Sequence, residues 1–260
     1  MSENTQFLDV TAPGRPLRKI AYRKSSGRRA GAPGLVWLSG FKSDLVSTKA
    51  SFLADWAKIV GVSYLRFDYS GHGQSTGPIE DFTIGDWLAE SLACFDRLTK
   101  GPQILVGSSM GGWITLLLAR SLIERGQGDR LKAIVLIAPA WDMTEELMWK
   151  QFPPEAKAAL ERDGVFYQPS EYGEPYALTR VLIEEGRNHL LAGSGFDPGC
   201  PVRILQGLRD PDVPWEHAFG LVDLLAGEDV RLTLIKDGEH RLSREKDLAL
   251  LTATIGEFTC

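Results

Sequence analysis

The chain has 260 residues, of which 43% are hydrophobic and 24% charged, a balance that suits a globular protein with a sizeable core and excludes disordered, collagen-like and coiled-coil classes. The formal net charge of −5, from 29 basic and 34 acidic residues, comes without a long basic run, so nucleic acid is not an expected partner. No apolar run approaches the roughly 18 residues that a bilayer span requires, and no integral membrane segment is expected.

The N-terminal ten residues include Glu3 and Asp9 and show neither an apolar signal core nor an Arg-rich amphipathic stretch, which predicts a cytoplasmic protein. Short β-branched runs at 20–22 and 35–38 predict two buried strands with no helix between them, hence an antiparallel hairpin at a sheet edge. Phe52, Trp56 and Ile59 then share one face of a predicted helix, followed by a strand at 64–67 and a helix carrying Ile84, Leu88, Leu92 and Phe95. A strand at 104–106, a helix at 113–120 and a strand at 133–137 continue the rhythm. It resumes with a strand at 202–205, a helix with Trp215, Phe219, Val222 and Leu225, a strand at 230–235 and a last helix with Leu248, Leu251, Ile255 and Phe258. Strands alternating with helices imply right-handed crossovers, and so an α/β fold with a mostly parallel, doubly wound sheet.

Residues 141–199 interrupt this alternation with far more chain than one crossover helix needs. Helix-compatible stretches at 144–151, 154–162 and 176–191 predict a helical cap inserted into a core formed by 1–140 and 200–260. Its Trp141, Trp149, Phe152 and Phe166, with Met143, Leu147, Met148 and Tyr167, offer apolar surface that either lines an acyl pocket or only packs the cap onto the core. The three cysteines, Cys94, Cys200 and Cys260, form no CxxC pair, so neither a metal cage nor a disulfide framework is expected.

Gly107-Ser108-Ser109-Met110-Gly111 matches G-x-S-x-G between a predicted strand and a predicted helix, the setting of a strained turn that exposes a nucleophilic serine. Such a hydroxyl needs a histidine to take its proton and a carboxylate to orient that histidine. Of four histidines, His72 precedes the serine, His189 falls in the insertion, and His217 sits on a predicted helix with its side chain expected toward solvent. His240 follows the strand at 230–235 at the carboxyl edge of the sheet and is the expected base. Asp210 is the expected acid, with Asp212 as the alternative, because Pro211 biases Asp210 toward extended backbone while Asp212 lies near a helix start at Pro214. Oxyanion donors are expected from the N–H groups of Met110 and of Phe41, the latter in the loop after the strand at 35–38.

Together these residues resemble the α/β-hydrolase superfamily over nearly the whole chain. Residues 67–75, Phe-Asp-Tyr-Ser-Gly-His-Gly-Gln-Ser, are similar to the loop after its fourth strand, and Asp210 with Val213-Pro214 is similar to its acid loop. More narrowly, the runs at 101–109, 66–71 and 213–215 resemble a branch of mitochondrial palmitoyl-protein thioesterases, also described as acyl-glucuronide esterases. The resemblance implies that Ser109, Asp210 and His240 fall on nucleophile, acid and base, with a small-molecule or protein-linked acyl ester or thioester as substrate and no metal or organic cofactor. An acyltransferase or cofactor-free haloperoxidase would use the same three residues, and a non-catalytic binding protein could keep the same fold.

Overall fold

The computed structural model describes residues 4–11, 14–170 and 173–259, so Met1 to Glu3 and Cys260 lie outside the described residues. The chain runs β1 (Gln6–Val10), β2 (Arg18–Ser25), β3 (Gly34–Leu38), α1 (Thr48–Val60), β4 (Tyr64–Phe67), α2 (Ile84–Leu98), β5 (Gln103–Ser108), α3 (Met110–Glu124) and β6 (Leu131–Ile137). After an insertion come β9 (Val202–Gly207), α6 (Trp215–Leu224), β10 (Val230–Ile235) and α7 (Glu245–Gly256). The insertion itself holds a π-helix at Thr144–Trp149, α4 (Pro154–Asp163), a hairpin of β7 (Val165–Ser170) and β8 (Gly173–Thr179), and the short α5 (Arg180–Gly186).

Eight strands form one sheet in the order β1-β2-β4-β3-β5-β6-β9-β10, parallel except where β2 pairs with β1 and β4. Every residue of β3, β4, β5 and β9 is buried, the polar Arg66, Arg203 and Gln206 included, as strands covered on both faces of the sheet require. Alternation along these strands splits the core. Leu35, Trp37, Ile104, Val106 and Val135 face one layer with Leu53 of α1 and Leu251 of α7, whereas Val36, Leu38, Leu105 and Leu136 face the other with Trp87 of α2 and Leu117 of α3.

Two expectations change. The strands at 20–22 and 35–38 do not pair with each other: β2 lies between β1 and β4, while β3 lies between β4 and β5. The β3–β4 crossover through α1 carries the chain outward from β3, and β4 thereby separates the two. The insertion is also not wholly helical. Residues 176–179 belong to β8, because the Val-Phe-Tyr run of β7 offers them a β-prone partner, with Val165 opposite Thr179 and Phe166 opposite Leu178.

The strand order reverses at β3, which has β4 on one side and β5 on the other. Open sheets of this kind place ligands at the carboxyl ends of the strands flanking such a switch point. Ser109 directly follows β5 and Phe41 follows β3, so both fall at that crevice.

Candidate active site

Ser109 sits at φ 55°, ψ −124°, a backbone conformation that a non-glycine residue keeps only when its surroundings enforce it. Three hydrogen bonds do so: Ser109 N–H donates to Ile137 O at 2.9 Å, and Ser109 O accepts from Gly112 N–H at 2.8 Å and Ala140 N–H at 3.1 Å. The flanking glycines permit the approach of strand and helix. A Cβ on Gly107 would stand 2.3 Å from Thr115 Oγ1, and one on Gly111 2.1 Å from Leu38 O.

The β3–α1 loop closes on this turn, since a Cβ on Gly40 would lie 3.3 Å from Ser109 Cβ. Phe41 follows immediately. Met110 opens α3, so its N–H has no acceptor within the helix. Asp68 anchors the neighbouring loops, accepting from Leu45 N–H at 2.6 Å and Gln74 N–H at 2.9 Å. Burial raises its carboxyl to about 6 despite these bonds.

Ser109 Oγ lies 3.0 Å from His240 Nε2, and His240 Nδ1 lies 2.8 Å from Asp210 Oδ2. The carboxylate accepts from Nδ1–H, which leaves Nε2 as the acceptor for the serine O–H. Asp210 has a fully buried side chain held by four donors: its Oδ1 accepts Asp212 N–H and Val213 N–H, each at 2.9 Å, and its Oδ2 accepts Gln206 Nε2–H at 3.2 Å as well as His240. The acid and base loops are joined by Arg209 N–H donating to Gly238 O at 2.8 Å. Asp212 is exposed and contributes its amide to Asp210.

The other histidines are committed elsewhere. His189 Nε2–H donates to Glu185 Oε1 at 2.6 Å, and His72 Nδ1–H donates to Ser70 O at 3.1 Å while burial pushes the ring down to about 4. His217 does not face solvent as expected. It stacks on Trp141 at 4.7 Å and donates Nε2–H to Trp141 O at 2.8 Å, because the insertion covers that side of α6. Asp210, Asp212 and His240 place ligand atoms within 4.8 Å of one another, but the Asp210 lone pairs and His240 Nδ1 are already taken up by the bonds above. That arrangement suits a hydrogen-bonded pair better than a cation site.

A cleft of about 810 Å³ runs past Ser109 and His240. From the insertion it is lined by Met143, Leu147, Met148, Gln151, Gln168 and Leu178, and from the α1 side by Lys42, Asp44 and Lys49. The four aromatic residues expected to line it do not. Trp141 is stacked on His217, Phe152 packs against Phe166 at 5.9 Å, and Trp149 lies between the cations of Lys157 and Arg187 at 5.4 and 5.2 Å. Large rings in the insertion thus fasten it to itself and to the core, and the flexible aliphatic chains are left to face the cleft.

Comparison with known proteins agrees with this architecture. The family model described as alpha/beta hydrolase fold matches residues 49–184. A curated relative from Bos taurus, named palmitoyl-protein thioesterase ABHD10, mitochondrial, is 37% identical over 93% of this chain and 77% of its own length. The chain belongs to the α/β-hydrolase fold family. Among solved α/β hydrolases, a putative hydrolase from Agrobacterium vitis S4 superposes with a TM-score of 0.95 at 42% identity over the whole of both chains. Alpha/beta hydrolase domain-containing protein 10 from mouse superposes at 0.83, with 31% identity and 97% of each chain covered. These names overturn one expectation of this α/β hydrolase. The cytoplasmic placement is corrected by relatives named as mitochondrial, because missing targeting features in ten residues carry no information about the compartment.

Sequence reasoning missed Gln206 and Lys49. Gln206 lies inside an all-buried strand where a polar residue is itself the signal: its amide also donates to Val213 O at 2.9 Å and so braces the acid loop. Lys49 carries no sequence signal, since its position in the cleft depends on the contact between α1 and the loop after β10.

Proposed function

We propose that the protein is a serine hydrolase that cleaves acyl esters, and thioesters in particular, through an acyl-enzyme on Ser109. The observation that carries this reading is the continuous chain Ser109 Oγ–His240–Asp210, with contacts of 3.0 and 2.8 Å, at a strained strand-to-helix turn. Ser109 Oγ attacks the acyl carbonyl as His240 Nε2 takes its proton, and Asp210 stabilises the imidazolium that forms. The N–H groups of Met110 and Phe41 receive the oxyanion, which develops only in the tetrahedral species and so lowers the barrier rather than merely tightening binding. His240 returns the proton to the leaving thiol or alcohol. Water activated by the same imidazole then releases the carboxylic acid.

The acyl chain is assigned to the Met143, Leu147, Met148 and Leu178 wall, which makes residues 141–199 a lid over the site. The name of the bovine relative supports a thioester as the acyl donor, and the aliphatic wall supports a chain longer than acetyl. The test is a panel of esters and thioesters of graded acyl length against the wild type and Ser109→Ala. Turnover that is absent from the wild type, or that survives in Ser109→Ala, overturns the reading.

A further inference from the structure

Lys49, the second residue of α1, shares the cleft with Ser109 and His240. Its Nζ donates to the backbone carbonyl of Arg241 and lies 3.4 Å from Ser243 Oγ, both on the loop that carries His240. Both acceptors are neutral. The charged groups acting on it are Arg241, which disfavours a second cation, and Asp247 of α7, which favours it, while Lys42, Asp44 and Asp212 line the same cleft. Burial and Arg241 outweigh Asp247 and bring the ammonium down to about 8. A desolvated lysine beside another cation is a recurrent way of obtaining a nucleophilic amine near neutral pH.

We propose that Lys49 is a second acyl-accepting site of this cleft, whose amine takes the acyl group directly from a thioester delivered there and keeps it as an amide. The lone pair of Nζ attacks the thioester carbonyl carbon, the C–S bond breaks, and the departing thiolate gains the proton that nitrogen loses. Nothing is oxidised or reduced, and no further reactant enters. Thioesters are the suitable donors because a thiol of pKa about 8.5 leaves far more readily than an alcohol. The product replaces a cation in the cleft with a neutral amide and removes the charged link between α1 and the His240 loop. The idea rests on the reading that thioesters occupy the cleft, but it does not need Ser109.

The experiment therefore uses Ser109→Ala, in which the donor is not consumed, incubated with S-octanoyl-N-acetylcysteamine at pH 7 and pH 9. Acylated lysines are quantified by peptide mass spectrometry. With its proton lost around 8, Lys49 has about 9% free amine at pH 7 and about 91% at pH 9, so its acylation rate should rise about tenfold. Amines with the ordinary lysine value near 10.4 rise about a hundredfold over the same interval, and labelling at the exposed Lys58 and Lys132 measures the reaction of the donor outside the cleft. The expected result is that Lys49 is the principal adduct at pH 7, with the shallow tenfold slope. In Ser109→Ala/Lys49→Arg that adduct is lost while Lys58 and Lys132 react as before. Labelling of the exposed lysines without Lys49, or a hundredfold slope at Lys49, overturns the proposal. Failure of the hydrolase reading appears separately, as thioester turnover by Ser109→Ala.

Discussion

Asp210→Asn tests the electrostatic logic of the site with almost no change in shape. Asp210 Oδ1 accepts two backbone N–H groups at 2.9 Å, so the asparagine oxygen must occupy that position and its NH₂ falls where Oδ2 was. There the amide donor faces His240 Nδ1 at 2.8 Å and the Gln206 Nε2 donor at 3.2 Å. His240 can answer only by presenting a bare Nδ1, which moves its proton to Nε2 and sets N–H against the Ser109 hydroxyl at 3.0 Å. In that tautomer it cannot act as base. By the precedent of a comparable serine protease substitution, the loss is about 10⁴ in kcat, or about 5.5 kcal/mol of barrier. The two backbone bonds survive, so thermal unfolding should shift little. Steady-state hydrolysis of a p-nitrophenyl ester, beside a melting curve, measures both. Turnover within tenfold of wild type, or a larger loss in Asp212→Asn, would refute the argument, because exposed Asp212 contributes only its amide.

Gly111→Ala should cost at least about 3 kcal/mol in chemical denaturation, since the new Cβ meets Leu38 O at 2.1 Å and Ser39 O at 2.5 Å, both backbone atoms; a cost under about 1 kcal/mol would mean that strand and helix can separate freely. Met148→Glu should lower kcat/KM for a C8 thioester far more than for a C2 thioester, because each buried methylene contributes up to about 0.8 kcal/mol, whereas Trp149→Glu should leave that ratio unchanged; an unaltered ratio in Met148→Glu removes the acyl wall. Asp68 is raised in the folded protein to about 6 from 3.8, so its contribution to stability is present below about 3.8 and is lost as pH climbs through about 6. The melting temperature of wild type relative to Asp68→Asn should therefore fall between pH 4 and 6.5, and a difference that stays flat across that window contradicts the assignment.

The core was legible because its strands are short, mostly apolar runs and its helices carry apolar residues every three or four positions, signals that burial itself imposes. β1 was not, since Gln6, Phe7 and Asp9 are exposed on an edge strand and no apolar alternation marks it. The β7–β8 hairpin was hidden because the Tyr-Ala-Leu-Thr run of its second strand leads straight into the apolar residues of α5 and fits a helix as well as a strand, so that its pairing is settled only by its neighbour. In the site, chain order and strand ends predicted that Ser109, Asp210 and His240 fall at one sheet edge, and the structure sets them within hydrogen-bond reach of one another. The cleft wall could not, because an apolar residue in a lid looks the same in sequence whether it meets substrate or, like Trp141 on His217, another side chain.

Reaction with a fluorophosphonate, followed by peptide mapping, addresses the role of Ser109 with least intervening inference. A serine activated by His240 should form a single phosphonyl adduct on Ser109, retained in Ser108→Ala, where the substituted residue ends β5, and abolished in Ser109→Ala and strongly slowed in His240→Ala. Labelling that persists in Ser109→Ala, or that maps to another residue, would contradict the account.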